Sequence, residues 1–201
     1  MISIIHTGVA NIRSLQAALD RLGLAWQLTA DPNQISKAEH VILPGVGAFA
    51  AAMQTLEQHQ LCQSIKDRIA ADQPTLCICL GLQLLAEWSE ESPGIPGLGI
   101  IPQQIQRFPP QVQIPQLGWN EVRPSESGSK GSFPFSAGEA YFANSFRLLN
   151  APEGWGFAET DYGGPFVSSC WRGRLLACQF HPELSGPWGE ALIRDWFKEG
   201  C

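Results

Sequence analysis

The sequence predicts an α/β fold: an open, mostly parallel sheet with helices on both faces, extended by a small antiparallel β region in its C-terminal half. Three observations predict it. Short apolar runs alternate with helically spaced ones through the first half of the chain. The links between them are short, the pattern of parallel strands joined by covering helices. From about Ser92 the chain becomes dense in Pro, Gly, Gln and Ser, and strand-like segments follow one another without long helices between them. A length of 201 residues with no repeat and no long linker is read as one domain spanning 1–201.

In order, Ile2–His6 is a short apolar strand. Asn11 caps a helix running to Gly23, with Ile12, Leu15, Ala18, Leu19 and Leu22 at helical spacing. Ala25–Thr29 is a second strand, ended by the breaker Asp31-Pro32. His40–Leu43 is a third, closing on the turn Pro44-Gly45-Val46-Gly47. Ala48 to Ala71 is helical with a break near His59. Thr75–Cys79 is a fourth apolar strand, and Gly81–Trp88 a helix directly after it. Further strands are expected at Gln104–Phe108, Trp119–Arg123, Glu139–Ala143, Gly156–Thr160, Pro165–Trp171 and Arg174–Phe180, then a helix from Trp188 to Glu199. Ligands of such sheets sit outside the carboxyl ends of the parallel strands, which selects the turns at Gly8, Gly45–Gly47 and Cys79–Gly81.

A formal charge of -6 argues against nucleic acid as a partner. The N-terminus has neither the basic region nor the apolar core of a signal peptide, and the richest apolar run, Leu76 to Leu82, is too short to cross a bilayer. A cytoplasmic protein without membrane contact is expected. The six cysteines form no C-x-x-C pair and only four histidines accompany them, so neither a metal site nor a cofactor is expected. Most of these thiols read as small buried hydrophobes.

The segment Leu76-Cys77-Ile78-Cys79-Leu80-Gly81-Leu82-Gln83 carries a chemical signal. A strand runs into a tight turn with a nucleophile at its tip, and a helix begins at once, which is the geometry of a nucleophile elbow. A thiol at a helix start faces unpaired N–H groups and the positive end of the helix dipole, conditions that lower thiol pKa values. Gly81 gives the turn room, and the Leu80 N–H would point at a developing oxyanion. Read alone, the same residues also suit a buried strand with two inert thiols. A second segment, Leu175-Leu176-Ala177-Cys178-Gln179-Phe180-His181-Pro182-Glu183, ends an apolar strand in His-Pro-Glu. Along an extended chain His181 and Glu183 point the same way, so Glu183 can fix the imidazole while His181 faces a nucleophile on another strand. Together the two segments read as a Cys79–His181–Glu183 triad.

Cys79-Leu80-Gly81-Leu82-Gln83 and Phe180-His181-Pro182-Glu183 resemble the two signatures of class I glutamine amidotransferases. Leu43-Pro44-Gly45-Val46-Gly47-Ala48-Phe49, Leu98-Gly99-Ile100-Ile101-Pro102, Leu117-Gly118-Trp119-Asn120 and Thr160-Asp161-Tyr162-Gly163 narrow the resemblance to the glutaminase subunits of imidazole glycerol phosphate synthases. That resemblance implies that Cys79 attacks the glutamine amide to form a thioester, that His181 protonates the ammonia and then activates water, and that Glu183 orients His181. It further implies an oxyanion donor from Gly45-Val46-Gly47, with the Val46 N–H beside that of Leu80, and a glutamine head group held by Gln83, Glu91 and the Ser145 backbone. It implies no cofactor. It implies a heterodimer with a (β/α)₈-barrel cyclase, which receives the ammonia through a channel. The cyclase combines it with a phosphoribulosyl aminoimidazole-carboxamide nucleotide, giving imidazole glycerol phosphate and aminoimidazole-carboxamide ribotide in histidine biosynthesis. Glutamine hydrolysis is then weak until the cyclase binds its own substrate.

The chain departs from that pattern at Cys77, where a glycine is usual, and at His6-Thr7-Gly8, Gln116 and Asn144-Ser145-Phe146. Cys77 as nucleophile is disfavoured because no glycine precedes it. His6 is expected to be a packed residue at a turn, His40 and His59 to have no catalytic part, and Trp119 and Trp171 to be core or partner-facing aromatics. Two other readings stand beside the leading one: a glutaminase serving a different acceptor synthase, and a catalytically silent paralogue that only binds a partner.

Overall fold

The computed structural model describes residues 1–7, 12–125, 133 and 135–199. The expected turn at Gly8 and the Asn11 cap lie outside the described residues. Strands β1 (Ile2–Ile5), β2 (Trp26–Thr29), β3 (His40–Leu43), β4 (Thr75–Ile78) and β12 (Leu175–Cys178) form the parallel part of the sheet, in the spatial order β2-β1-β3-β4-β12. Beyond β12 the ladder continues antiparallel through β11 (Pro165–Arg172), β10 (Gly156–Asp161), β7 (Gln116–Pro124) and β8 (Gly138–Asn144). A side branch of β5 (Ala86–Ser89), β6 (Ile101–Arg107) and β9 (Phe146–Leu148) joins at β11. The expected antiparallel extension therefore shares one hydrogen-bonded sheet with the parallel strands.

Side chains of a strand alternate between faces, and the parallel strands bury both. On β3, Val41 and Leu43 enter one core while Ile42 enters the other; on β12, Leu175 and Ala177 go one way and Leu176 and Cys178 the opposite way. The first core is closed by Ile35 of α2 (Pro32–Lys37) and by apolar residues of α3 (Phe49–Gln58), α4 (Leu61–Ala70) and α5 (Leu80–Leu84). The second is closed by Leu15 and Leu19 of α1 (Arg13–Arg21) and by Leu192, Ile193 and Trp196 of α6 (Gly186–Glu199). Among the described residues no helix is long and apolar enough to cross a membrane.

Strand β9 is absent from the sequence reading, and two stretches of the first half differ from it. The Asp31-Pro32 pair starts a helix instead of ending a strand region: the Asp31 carboxylate accepts from the Asn33 N–H at 2.8 Å and Pro32 occupies the first turn, where its missing N–H costs nothing. The helix expected over Gly81–Trp88 is α5, five residues long, and the chain turns at Leu85 into β5, which pairs with β6. Periodicity cannot separate a buried strand from a buried helix in so short an apolar stretch. The break expected near His59 is present, with Gln60 in a left-handed conformation at φ 58 between α3 and α4.

Candidate active site

The site lies at the carboxyl ends of β4, β3 and β12. Cys79 follows β4 directly, and its N–H donates to the Cys178 carbonyl at 2.7 Å. Its own carbonyl accepts from the Leu82 and Gln83 N–H groups, at 3.0 and 3.3 Å, as α5 begins. Held from both sides, Cys79 adopts φ 52, ψ −108, a conformation that side-chain-bearing residues rarely occupy and that costs about 1–3 kcal/mol. Gly81 is required for a reason the sequence did not reveal: a Cβ there would run into the Leu43 carbonyl oxygen at the end of β3. Cys77 is fully buried two residues earlier, and burial pushes its thiol well above the ordinary range, so it is inert as a nucleophile.

His181 reaches the same place from β12. Its N–H donates to the Tyr141 carbonyl at 2.9 Å, and its Nδ1 lies 2.9 Å from Glu183 Oε1. The carboxylate can only accept, so Nδ1 carries the proton and Nε2 is left to the sulfur. The proximity has a different origin from the expected extended alternation. Pro182–Leu184 is one turn of 3₁₀ helix, and that turn brings the carboxylate back to the ring. Both side chains are more than nine-tenths buried. Burial by itself would lower the His181 pKa; a neighbouring charge on Cys79, a hydrogen bond to it, and then Glu183 outweigh burial and raise it to about 11. The arrangement favours a protonated imidazole between a sulfur and a carboxylate.

Pro44, Gly45 and Val46 line a crevice with Ile12, Leu15, Ile78, His181 and Glu183, of only about 10 Å³. The Leu80 N–H expected to face an oxyanion donates instead to the Gly45 carbonyl at 3.3 Å. Gly45 stands so close to Leu80 and Gly81 that a Cβ would collide with both. Gly47 has φ 110, which favours glycine. Gln83 is buried in α5, and its amide N–H groups donate to the Phe146 carbonyl at 3.2 Å and to Gln179 Oε1 at 3.0 Å. Glu91 accepts from the Phe49 N–H at 2.9 Å, at the start of α3. The Ser145 carbonyl accepts from the Phe108 N–H at 3.1 Å. Cys79, His181, Glu183, Gly45, Val46, Leu80 and Gln83 are thus gathered at one strand rim, whereas Glu91 and Ser145 have main-chain partners of their own.

Gln179 has no role in the sequence reading, although it sits two residues before His181. It is fully buried, and its Nε2 donates to Cys79 Sγ at 3.6 Å. His6 is exposed, not packed. Gln116 and Asn144 face each other across the β7–β8 ladder, and both Gln116 amide atoms and Asn144 Oδ1 are buried without a partner among the described residues. Trp171 is core, stacked on Phe135 with ring centroids 5.1 Å apart, while Trp119 is 54% exposed on the outer face of β7. No group of three or more His, Cys, Asp or Glu among the described residues is arranged to hold a metal ion.

The glutamine amidotransferase class-I family model matches residues 3–199. The imidazole glycerol phosphate synthase subunit HisH of Moorella thermoacetica is 40% identical over 195 residues, covering 97% of this chain and 93% of that protein. Its counterpart from Dehalococcoides mccartyi (strain ATCC BAA-2266 / KCTC 15142 / 195) is 38% identical, covering 98% of this chain and 97% of that one. Among solved structures, a glutamine amidotransferase superposes with a TM-score of 0.79 at 17% identity, over 100% of this chain and 99% of the other, a likeness of fold.

Proposed function

The chain belongs to the class-I glutamine amidotransferase family, among the HisH subunits of imidazole glycerol phosphate synthase, and from that membership we propose that it hydrolyses glutamine at Cys79 and delivers the ammonia to a (β/α)₈-barrel cyclase. The observation that carries the reading is the strained Cys79 at a strand-to-helix turn, on the same strand rim as an imidazole that Glu183 holds at 2.9 Å.

The Cys79 thiolate attacks the carbon of the side-chain amide, and the oxyanion is received by main-chain N–H groups. Protonated His181 gives its Nε2 proton to the nitrogen as the C–N bond breaks, releasing ammonia and leaving a γ-glutamyl thioester. Neutral His181 then takes a proton from water, hydroxide adds to the thioester, and collapse returns glutamate and the thiolate. Glu183 keeps Nδ1 protonated throughout and favours the imidazolium. The Leu80 N–H can serve the oxyanion only after the Gly45 carbonyl leaves it, which requires a displacement of the Pro44–Gly47 turn. That dependence supports a glutaminase that is weak alone and stimulated by its partner. Gln83 contributes to holding glutamine from the floor of the site; Glu91 and the Ser145 backbone do so only with some change of partner.

The ammonia is used by the cyclase to make imidazole glycerol phosphate and aminoimidazole-carboxamide ribotide in histidine biosynthesis, in the cytoplasm, and the whole chain acts as one glutamine amidotransferase domain. The exposed Leu117, Trp119 and Leu184 beside His181 support this rim as the side on which the cyclase sits. The test is a glutaminase assay with and without a cognate cyclase and its nucleotide. Strong stimulation is expected, with loss of activity in Cys79→Ala. Equal rates with and without the cyclase would remove the partner assignment, and wild-type activity in C79A the nucleophile.

A further inference from the structure

Three hydrogen bonds connect a main-chain carbonyl to the nucleophile. The Phe146 carbonyl oxygen accepts from Gln83 Nε2 at 3.2 Å, Gln179 Oε1 accepts from the same nitrogen at 3.0 Å, and Gln179 Nε2 donates to Cys79 Sγ at 3.6 Å. The direction of this chain is fixed at one end. A carbonyl oxygen cannot donate, so the Gln83 amide must present its NH₂ to Phe146. The second hydrogen of that NH₂ points at Gln179, which must therefore turn its oxygen toward Gln83. Its NH₂ is then left facing the sulfur. Reversing either amide would set two NH₂ groups or two oxygens against each other, in a place where Gln179 is fully buried and Gln83 is 5% exposed. Unmatched polar groups so buried are costly.

We infer that Gln179 is a positioning residue for Cys79: its side-chain N–H, oriented through Gln83 by the Phe146 carbonyl, holds the sulfur in its attacking rotamer and stabilises its anion. The inference rests on the glutaminase reading for its meaning in turnover. The donor comes from the face of the sulfur set by the 178–180 segment, and His181 is three residues beyond Cys178 on the same strand exit. Two supports on one chain segment thus fix one atom: the imidazole takes and gives the proton, and the amide gives none away. A donor that cannot transfer its proton stabilises the thiolate without quenching it. The neutral NH₂ also adds no charge that would compete with His181. Because Gln83 is a proposed contact of the substrate, an altered Gln83 amide would be felt at the sulfur through one intervening side chain.

The test uses the full chain and reads the sulfur directly. Cys79 is alkylated with iodoacetamide across a range of pH, and the modified peptide is quantified by mass spectrometry so that other thiols do not enter; Cys79→Ser marks the background. In Gln179→Met, which keeps size and loses the donor, the profile is expected to move to higher pH, with alkylation at neutral pH slowed about tenfold or more, the worth of one hydrogen bond to a charged acceptor. Gln179→Glu keeps the acceptor facing Gln83 but offers the sulfur an oxygen, and its profile should move at least as far. With the cyclase bound, kcat should fall about tenfold while KM for glutamine stays within about threefold, since the lost contact is to the nucleophile. A Q179M or Q179E profile superimposed on that of the wild type overturns the inference, because a residue that only fills space leaves the sulfur's titration in place. Alkylation needs no turnover, so failure of the wild type to hydrolyse glutamine would sink the functional reading while leaving this profile to stand or fall alone.

Discussion

His40 begins β3 at 2% exposure, stacked on Phe197 and edge-on to Trp196. Its Nε2 lies 3.0 Å from the Phe197 carbonyl, so that nitrogen carries the proton, and its Nδ1 is buried without a partner among the described residues. Burial pushes its pKa down, partly opposed by the Phe197 carbonyl. The folded chain therefore keeps His40 neutral where the unfolded chain, with an ordinary histidine pKa of about 6.5, takes up a proton. Stability falls as pH drops through that value, levels off once the folded form titrates too, and is unaffected well above it. His40→Gln should lose less stability than the wild type between about pH 7.5 and about pH 5, read as the change in urea midpoint. An equal loss in both would show that this ring does not titrate differently on folding. The candidate catalytic residues are legible at this scale because each stands in a motif of adjacent residues. Gln179 was not, since a glutamine next to an apolar strand gives no signal until its neighbours in space are known.

At the scale of elements, Arg68 explains how α4 is locked to the sheet. Its buried guanidinium donates to the carbonyls of Ile35, Ala38, Glu39 and Pro74, and to Gln73 Oε1 and Thr75 Oγ1. It thereby joins α4 to the end of α2 and the starts of β3 and β4. Burial lowers its pKa to about 10, which leaves it charged at neutral pH. Arg68→Met removes the donor for six acceptors, three of them in buried bonds, and should cost about 3 kcal/mol or more in urea unfolding, against a cost near zero for an exposed arginine. A midpoint within error of the wild type would mean that solvent replaces the guanidinium freely. Nothing in the sequence singles out Arg68, because its acceptors lie in two segments, 35–39 and 73–75, and only the fold brings both to the guanidinium. The start of α2 is marked by Asp31-Pro32, a pair that reads as a breaker but is equally a helix start, with aspartate as cap and proline in the first turn. The strand β5 was not, since its pairing with β6 is decided by a partner outside the local window.

Over the whole molecule, the rim that carries Cys79 and His181 and an exposed apolar face adjoin. Trp119 pairs with Tyr141 across the β7–β8 ladder, and its ring approaches Gly186, next to Leu184. The Tyr141 carbonyl accepts from the main-chain N–H of His181, so this exposed face is one hydrogen bond from the backbone that carries the imidazole. Trp119→Ala should weaken cyclase binding by about thirtyfold, the effect of losing a central aromatic anchor, while the melting temperature of the free chain changes little because the ring is 54% exposed. Unchanged affinity in a titration would move the docking surface elsewhere.

By itself the sequence determined the two-sided parallel core, through apolar runs that neither water nor a half-exposed sheet would accommodate, and it placed Cys79 and His181 at strand exits, because a nucleophile elbow and a His-Pro-Glu turn are local in the chain. The tertiary structure decided which atoms those side chains meet. The Leu43 carbonyl makes Gly81 obligatory, the Gly45 carbonyl occupies the Leu80 N–H, and Gln179 reaches the sulfur from a strand about one hundred residues away. Hydrogen bonds and steric contacts act over a few ångströms between atoms distant in sequence, and only the assembled sheet brings β3, β4 and β12 to one rim.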